Sequence, residues 1–484
     1  MLTLLTLSML RLAFNSQPAI ASLTVHNIDT GLDYETIQEA IDAPETLNGH
    51  TIAVDAGRYY EGVVVNKVLN LIGENKENTV IDGSYLGTIY AIVTIAESNV
   101  NISGFTVANT ASGRGISVGD AGKSTIHDNI VCFTGDRGIV FEWGRGNKAY
   151  NNIVYNTGAF GGIEAIYSDN NTIFNNEAYF NRWGIATNHG SYNRIYNNTV
   201  HDNYGTGIHI DWPSTGNVVY NNNVSSNTNA GIAAINQANE TIIEGNKISG
   251  SYRGIRFDDS SNGNVFGNTI VANTFGVSLQ SSSNNTINEN DITNNEVGVI
   301  LGFDSNNNRI CGNTIMTSYN NSIVIRYSSM NNISGNILTN NYNGIQIHDY
   351  SSSNIIFENI IVSNEVGVEI RSSSGNKFFH NDFVGNAQQV AIITSDINIW
   401  DDGYPSGGNY WSDYNGTDLF SGPYQNETGS DGIGDTPYVI DGSNRDSYPL
   451  MERWTPYGEE LITIGTTARI TVLDPAKAYD IYTW

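Results

Sequence analysis

The stretch Asn198-TVHDNYGTGIHIDWPSTGNV-Val219 decides the fold. It contains Asn198-Thr-Val200, then Gly207-Ile208, then Asn217-Val218, and each of these short signals returns along the chain. Gly before Ile or Val recurs at Gly115, Gly138, Gly162, Gly184, Gly207, Gly231, Gly254, Gly276, Gly298, Gly344 and Gly367, with Ser322-Ile323 replacing it once. From Gly138 to Gly367 there are 229 residues in ten intervals, or about 23 per repeat. The earlier Asn signal reappears in Asn129-Ile-Val131, Asn246-Lys-Ile248, Asn268-Thr-Ile270 and Asn336-Ile-Leu338. The later one reappears in Asn171-Thr-Ile173, Asn264-Val265, Asn285-Thr-Ile287 and Asn354-Ile355. Three short strands per period, parted by Asn and Gly turns, predict an all-β, right-handed, single-stranded parallel β-helix of about 13–15 coils. A leucine-rich repeat needs a Leu framework, and a propeller blade needs a period nearly twice as long.

The composition agrees. Asn and the 50 Gly tolerate left-handed backbone angles, so this chain turns often. At one corner of stacked coils, Asn amides are expected to bond in a ladder, so Asn clusters do not mark a site. The repeat Gly reads as the turn of each coil, and the residue after it as inward. Upstream, Ile37, Ala40 and Ile41 fall at helical spacing and predict a short amphipathic helix capping the N-terminal end. Thr51–Val54, Gly62–Val65, Leu69–Ile72 and Val80–Ile81 read as the first coils. Cys132 and Cys311 lie eight repeats apart, about 40 Å at the spacing of stacked strands, which predicts two unpaired, buried thiols.

A formal charge of −27 argues against nucleic acid as a partner and favours cations, neutral glycans or basic partners. The apolar run Met1–Phe14, followed by Ala19-Ile-Ala21, predicts a secretory signal at 1–21. No later stretch has the unbroken apolar length of a membrane span. Ten Asn-x-Ser/Thr sequons, the first at Asn101 and the last at Asn426, suit an exported glycoprotein. The expected organisation is therefore the signal, a cap and first coils at 30–98, repeats at 99–395, a closing segment at 396–455, and extra strands at 456–484.

Segments near both ends carry a resemblance. Tyr34-ETIQEA-Ile41 and Ala56-GRYYEGVVVNKVLNLIGENKENTVID-Gly83 resemble the start of NosD-type β-helix proteins. Gly408-NYWSDYNGT-Asp418, Asp431-GIGDTPYVID-Gly442 and Tyr448-Pro-Leu450 resemble that family's closing signature. The resemblance spans roughly residues 30 to 455. It implies a periplasmic, secreted or cell-surface β-helix protein and, for the founding members, an accessory role in assembling the copper centre of nitrous oxide reductase. Copper needs soft ligands in clusters, and the 5 Met, 2 Cys and 8 His form no Met-rich or His-x-His group, so the ligand set does not support copper.

Outward positions of successive coils supply the candidate chemistry. Glu164, His209, Asp211, Arg256 and Asp258 are the candidate catalytic residues, because stacked carboxylates can reach the separations that glycoside cleavage uses. Glu142, Trp143, Trp183, His189, Trp212 and Asp259 are candidate substrate contacts, the Trp side chains suiting the apolar faces of sugar rings. The competing expectation is an ordinary solvated or glycan-binding face. Neither the Asp-Pro-His motif of alginate epimerases nor the paired-Asp motif of polygalacturonases is found. Asp431, Asp435 and Asp441, on a Gly-rich stretch, are a candidate calcium group, although the EF-hand pattern is absent. These features predict an exported structural or glycan-binding protein, with a polysaccharide hydrolase or lyase as the alternative. The oligomeric state is not legible.

Overall fold

A computed structural model describes residues 24–394 and 396–454, together with short strands at Ala468–Arg469 and Tyr482–Thr483. The expected signal at 1–21 and most of the stretch 456–484, where extra strands are expected, lie outside the described residues.

The chain winds into a right-handed parallel β-helix whose three walls are sheets of 17, 16 and 15 strands. The third sheet carries the repeat Gly, as in Gly161–Ile166, Trp183–Asn188, Thr206–Asp211, Ala230–Ile235 and Arg253–Asp258. Its strands pair in parallel with matched register, Ile185 beside Ile208 and Ile208 beside Ile232. Alternation turns these Ile inward, where they are fully buried and stack into the core.

Each corner is built from a pair of residues with different duties. In Asn197-Asn198 and Asn221-Asn222 the first residue is left-handed, with φ of 54° and 55°. The second is buried and joins a ladder: the Asn198 Nδ2 donates to Asn222 Oδ1 at 3.0 Å, and Asn222 Nδ2 to Asn246 Oδ1 at 3.0 Å. Similar ladders run at the other corners, through Asn308, Asn331 and Asn354, and through Asn181, Asn203 and Asn227. The expected ladder thus occurs at three corners rather than one. It satisfies backbone groups that the bends remove from the sheets.

The repeat Gly is not a turn residue. Gly207 lies inside the strand Thr206–Asp211, and a Cβ there would meet Gly231 O and Asn227 Nδ2, both at 2.7 Å. Close approach of the next coil selects Gly here, not a left-handed angle.

Both ends are closed. The predicted helix is present at Ile37–Asp42, capped by the Thr36 side chain, and it buries Ile37, Ala40 and Ile41 against the first coil. At the other end Trp400 stacks on Phe378 at 4.3 Å, Trp411 on Phe383 at 4.3 Å, and Tyr438 on Trp411 at 4.2 Å. Both cysteines are free; Cys132 is buried, whereas Cys311 is only half-buried, since it precedes its ladder Asn on an outward position.

Candidate functional site

The outward face of the third sheet carries two side-chain rows, not one. Val140, Glu164, Ala186, His209, Ala233 and Arg256 share the first. Glu142, Ile166, Asn188 and Asp211 share the second, and Ile235 and Asp258 pair further along it. Glu142 therefore lies opposite Ile166 and does not stack on Glu164, as a single outward row would have had it. Nor is this stretch of the face an ordinary solvated surface. Glu164 is 0% exposed, His209 6% and Asp211 7%. The reason is that side chains preceding each Gly also turn outward and fold over the rows.

Those preceding residues form a charged wall that the sequence reading passed over. Arg114 reaches Glu142 at 2.7 Å and Asp136 at 3.2 Å; Arg137 reaches Asp136 at 2.9 Å and Glu164 at 2.6 Å. Tyr90 bonds both Glu142 and Arg114, and the Arg137 guanidinium lies 4.0 Å from the centre of the Phe160 ring. Burial opposes ionisation of Glu142, but Arg114 and Tyr90 hold its carboxyl below the usual range. The signal for Arg114 and Arg137 was available: each stands immediately before a repeat Gly, where bulky or charged residues are otherwise unexplained.

Glu164 differs from Glu142. Its Oε2 accepts from Arg137 and from the Gly161 N–H at 3.3 Å, while its Oε1 is buried without a partner among the described residues. Burial outweighs the pull of Arg137 and raises this carboxyl above the ordinary glutamate range. Two coils on in the same row, His209 Nε2 bonds Asp211 Oδ2 at 3.1 Å, and its ring stacks on Trp183 at 4.2 Å. His209 Nδ1 is buried and has no partner among the described residues. Burial opposes the charge on Asp211, yet His209, the Asn236 amide at 2.7 Å and the Trp212 N–H at 2.7 Å hold its carboxyl low. Between Glu164 and His209 stands only the methyl group of Ala186. The arrangement offers a carboxyl inclined to keep its proton and an imidazole oriented by a carboxylate, about 10 Å apart along the row.

Arg256 and Asp258 lie two coils beyond and pair with each other rather than with His209 or Asp211. Asp259 is a left-handed corner residue in the coil of Arg256.

The aromatic candidates form a ladder, which changes what they can touch. Trp143 stacks on Tyr167 at 4.3 Å, Tyr167 on His189 at 4.4 Å, and His189 on Trp212 at 5.4 Å, all within 22° of parallel. Tyr167 and His189 are thus covered on both faces. The ladder shows ring edges to solvent, and only its ends, Trp143 and Trp212, retain a face without another ladder ring. Of the three Trp expected to contact sugars, Trp143 and Trp212 are exposed and keep a face clear of the ladder. Trp183 lies apart from the ladder, against His209.

The three closing-segment carboxylates serve separate turns. Asp431 accepts from the Ile433 N–H and Gln425, Asp435 from the N–H groups of Leu419 and Phe420, and Asp441 from those of Ser443 and Asn444. Among the described residues no three His, Cys, Asp or Glu side chains are grouped to hold a metal.

A family model described as "Periplasmic copper-binding protein (NosD)" matches residues 46–240 and 224–416. A cell surface glycoprotein of Methanothermus fervidus is 36% identical over 109 residues, 22% of this chain and 18% of that protein. The chain thus spans under a fifth of that relative's length. Among solved structures, the pre-mature bacteriophage phi29 gene product 12 shares the fold with a TM-score of 0.52 and 17% identity, over 71% of this chain and 54% of that one. The Azotobacter vinelandii mannuronan C-5 epimerase AlgE4 A-module gives a TM-score of 0.43 and 19% identity, over 75% of this chain and 94% of that one. The family's description names copper; of the histidines near this face, His209 is bonded to Asp211, His189 to Asn188, and His201 to Asp202 and Glu177. We derive no step through copper. With the two matches running from residue 46 to 416, this exported right-handed parallel β-helix protein belongs to the NosD family.

Proposed function

We propose that the protein binds a polysaccharide along the outer face of the third sheet and cleaves it at Glu164 and His209, which the glycan reaches when the covering side chains Arg137 and Trp183 swing aside. The observation that carries this reading is the pair of buried, unpartnered polar atoms, Glu164 Oε1 and His209 Nδ1, on one row with Ala186 between them. Buried polar atoms without partners are costly, and they persist where a bound group completes them. Glu164, whose burial inclines its carboxyl to keep a proton, gives that proton to the glycosidic oxygen as the bond to the leaving sugar breaks. His209, held by Asp211, takes a proton from the attacking water in hydrolysis, or from the sugar ring carbon in elimination. Their spacing of about 10 Å along the row is slightly beyond the roughly 6.5–9.5 Å that separates the paired carboxyls of water-using glycosidases, so the side chains must lean toward each other. A cell-surface or periplasmic location agrees with the family description and with the name of the glycoprotein relative.

The test is digestion of a panel of neutral and acidic polysaccharides, reading new reducing ends and unsaturated sugar ends separately. Cleavage by the native protein and a loss of about 100-fold or more in Glu164→Gln support the reading. An uncut panel, or a Glu164→Gln protein as active as the native one, would overturn it. A second reading, binding without cleavage, is favoured by the 2.6 Å contact between Glu164 and Arg137, which can serve as a purely structural tie. It predicts that native and Glu164→Gln proteins hold the same oligosaccharide equally and leave it intact.

A further inference from the structure

The search for a feature outside the cleavage pair leads two coils further along the same face. Arg253, immediately before the repeat Gly254, is a half-buried guanidinium with no ion pair and no side-chain hydrogen bond among the described residues, Asp258 acting on it only at longer range. Its Nε is fully buried and unpartnered. What holds it is aromatic: its guanidinium carbon lies 4.7 Å from the Tyr252 ring centre and 5.9 Å from that of Phe275. Arg114, Arg137, Arg256 and Arg326 on this wall each have an acidic partner, at Glu142, Glu164, Asp258 and Asp349 respectively. Arg253 is therefore a cation without a directly paired carboxylate among the described residues, in a chain of net charge −27. A solvated lysine-like decoration would cost nothing, but a desolvated guanidinium beside a second one is costly unless an anion completes it.

The surroundings say what kind of anion. Arg253 lines a cavity of about 190 Å³ together with Phe275, Ser278, Gln280, Phe303 and Arg326. A bare inorganic ion would leave the aromatic walls wet. A sugar ring bearing a carboxylate uses both parts, the carboxylate forking onto the guanidinium and the ring lying along Phe275 and Phe303. We infer that Arg253, with Arg326 and the hydroxyl and amide of Ser278 and Gln280, forms a subsite for an acidic sugar, so that the preferred chain is a polyuronate. This deepens the proposed function by naming its substrate class; it rests on a glycan lying along this face, and it holds whether or not the glycan is cut.

The experiment separates the two. Calorimetric titration of the Glu164→Gln protein uses oligogalacturonate, its methyl-esterified counterpart of equal length, a sulfated oligosaccharide, and inorganic sulfate. We expect oligogalacturonate to bind at least tenfold more tightly than the neutral ester. Arg253→Gln abolishes that preference, with the acidic chain falling to the affinity of the neutral one and the melting temperature not lowered, and Arg253→Lys recovers part of it. Tighter binding of the sulfated oligomer redirects the subsite to sulfated sugars. Inorganic sulfate binding as well as the oligomer does, equal affinity for acidic and neutral chains, or insensitivity to Arg253→Gln overturns the inference. Should cleavage fail while the acidic preference stands, only the catalytic reading falls.

Discussion

Asn290 shows how one side chain can hold a coil in place. Its Oδ1 accepts from the Asn268 N–H at 3.0 Å and from the Asn268 amide at 2.9 Å. Its Nδ2 donates to Val265 O at 2.9 Å, Asn288 O at 3.0 Å and Asn313 Oδ1 at 2.9 Å. Three oxygens face the amide nitrogen, so an oxygen there is worse than nothing. Asn290→Ala should cost about 1–3 kcal/mol, and Asn290→Asp about 3–5 kcal/mol at pH 7, read from urea midpoints. The Asp deficit should shrink as pH falls, because a carboxyl buried among acceptors holds its proton more tightly when folded than when unfolded. An Asp variant as stable as the Ala variant at pH 7 would contradict the ladder's role. The same residue scale marks what could be read in advance. A repeated Asn before a β-branched residue is a local pattern, and it announced the ladder. The burial of Glu164 is not local: it follows from Arg137 folding over it from the previous coil, and from Phe160 covering Arg137. Periodicity says that a residue points outward, not what leans over it.

The aromatic ladder behaves as an element of its own, running across coils rather than along the chain. The corner residues Trp143, Tyr167, His189 and Trp212 all have positive φ, from 47° to 66°. Residues other than Gly pay for that angle, and stacking across the coils offsets the cost. The sequence reading took Trp143, His189 and Trp212 as separate contacts and passed over Tyr167, because nothing in a linear pattern shows that successive corners superpose within 4.3–5.4 Å. The expected behaviour follows from the covered faces. Tyr167→Leu should lower stability by about 1–2 kcal/mol through two lost ring pairs, measured by chemical denaturation. It should leave oligosaccharide affinity within about twofold, since Tyr167 offers solvent only an edge. A large loss of affinity without a loss of stability would mean that sugars do lie on this ring.

At the scale of the molecule, each coil touches only its neighbours, and the closed ends keep the stack from growing. The corner arithmetic then makes a whole coil removable. Deleting residues 336–358 joins Gly335 to Asn359. Gly335 has φ of 62° and would take the corner now held by Glu358 at 57°, so the left-handed position is filled. Asn359 would take the place of Asn336, accepting from the Asn313 N–H as Asn336 does now at 3.0 Å. Ile310, whose carbonyl now accepts from Asn336 Nδ2, would find the same donor on Asn359. The deletion also removes Asp349, but its pair with Arg326 is partly exposed and contributes little. The third sheet would fall from 15 strands to 14 with both caps kept, and the melting temperature should stay within about 5 °C of the native value. Deleting only residues 336–346 instead sets the corner at Gly335 against the strand residue Ile347 and turns inward positions outward along the next wall. That protein should fail to give a cooperative melt followed by circular dichroism. If the whole-coil deletion unfolds as readily as the half-coil one, the ladders are not the register device, and the coil would have to be specified by contacts reaching beyond its neighbours.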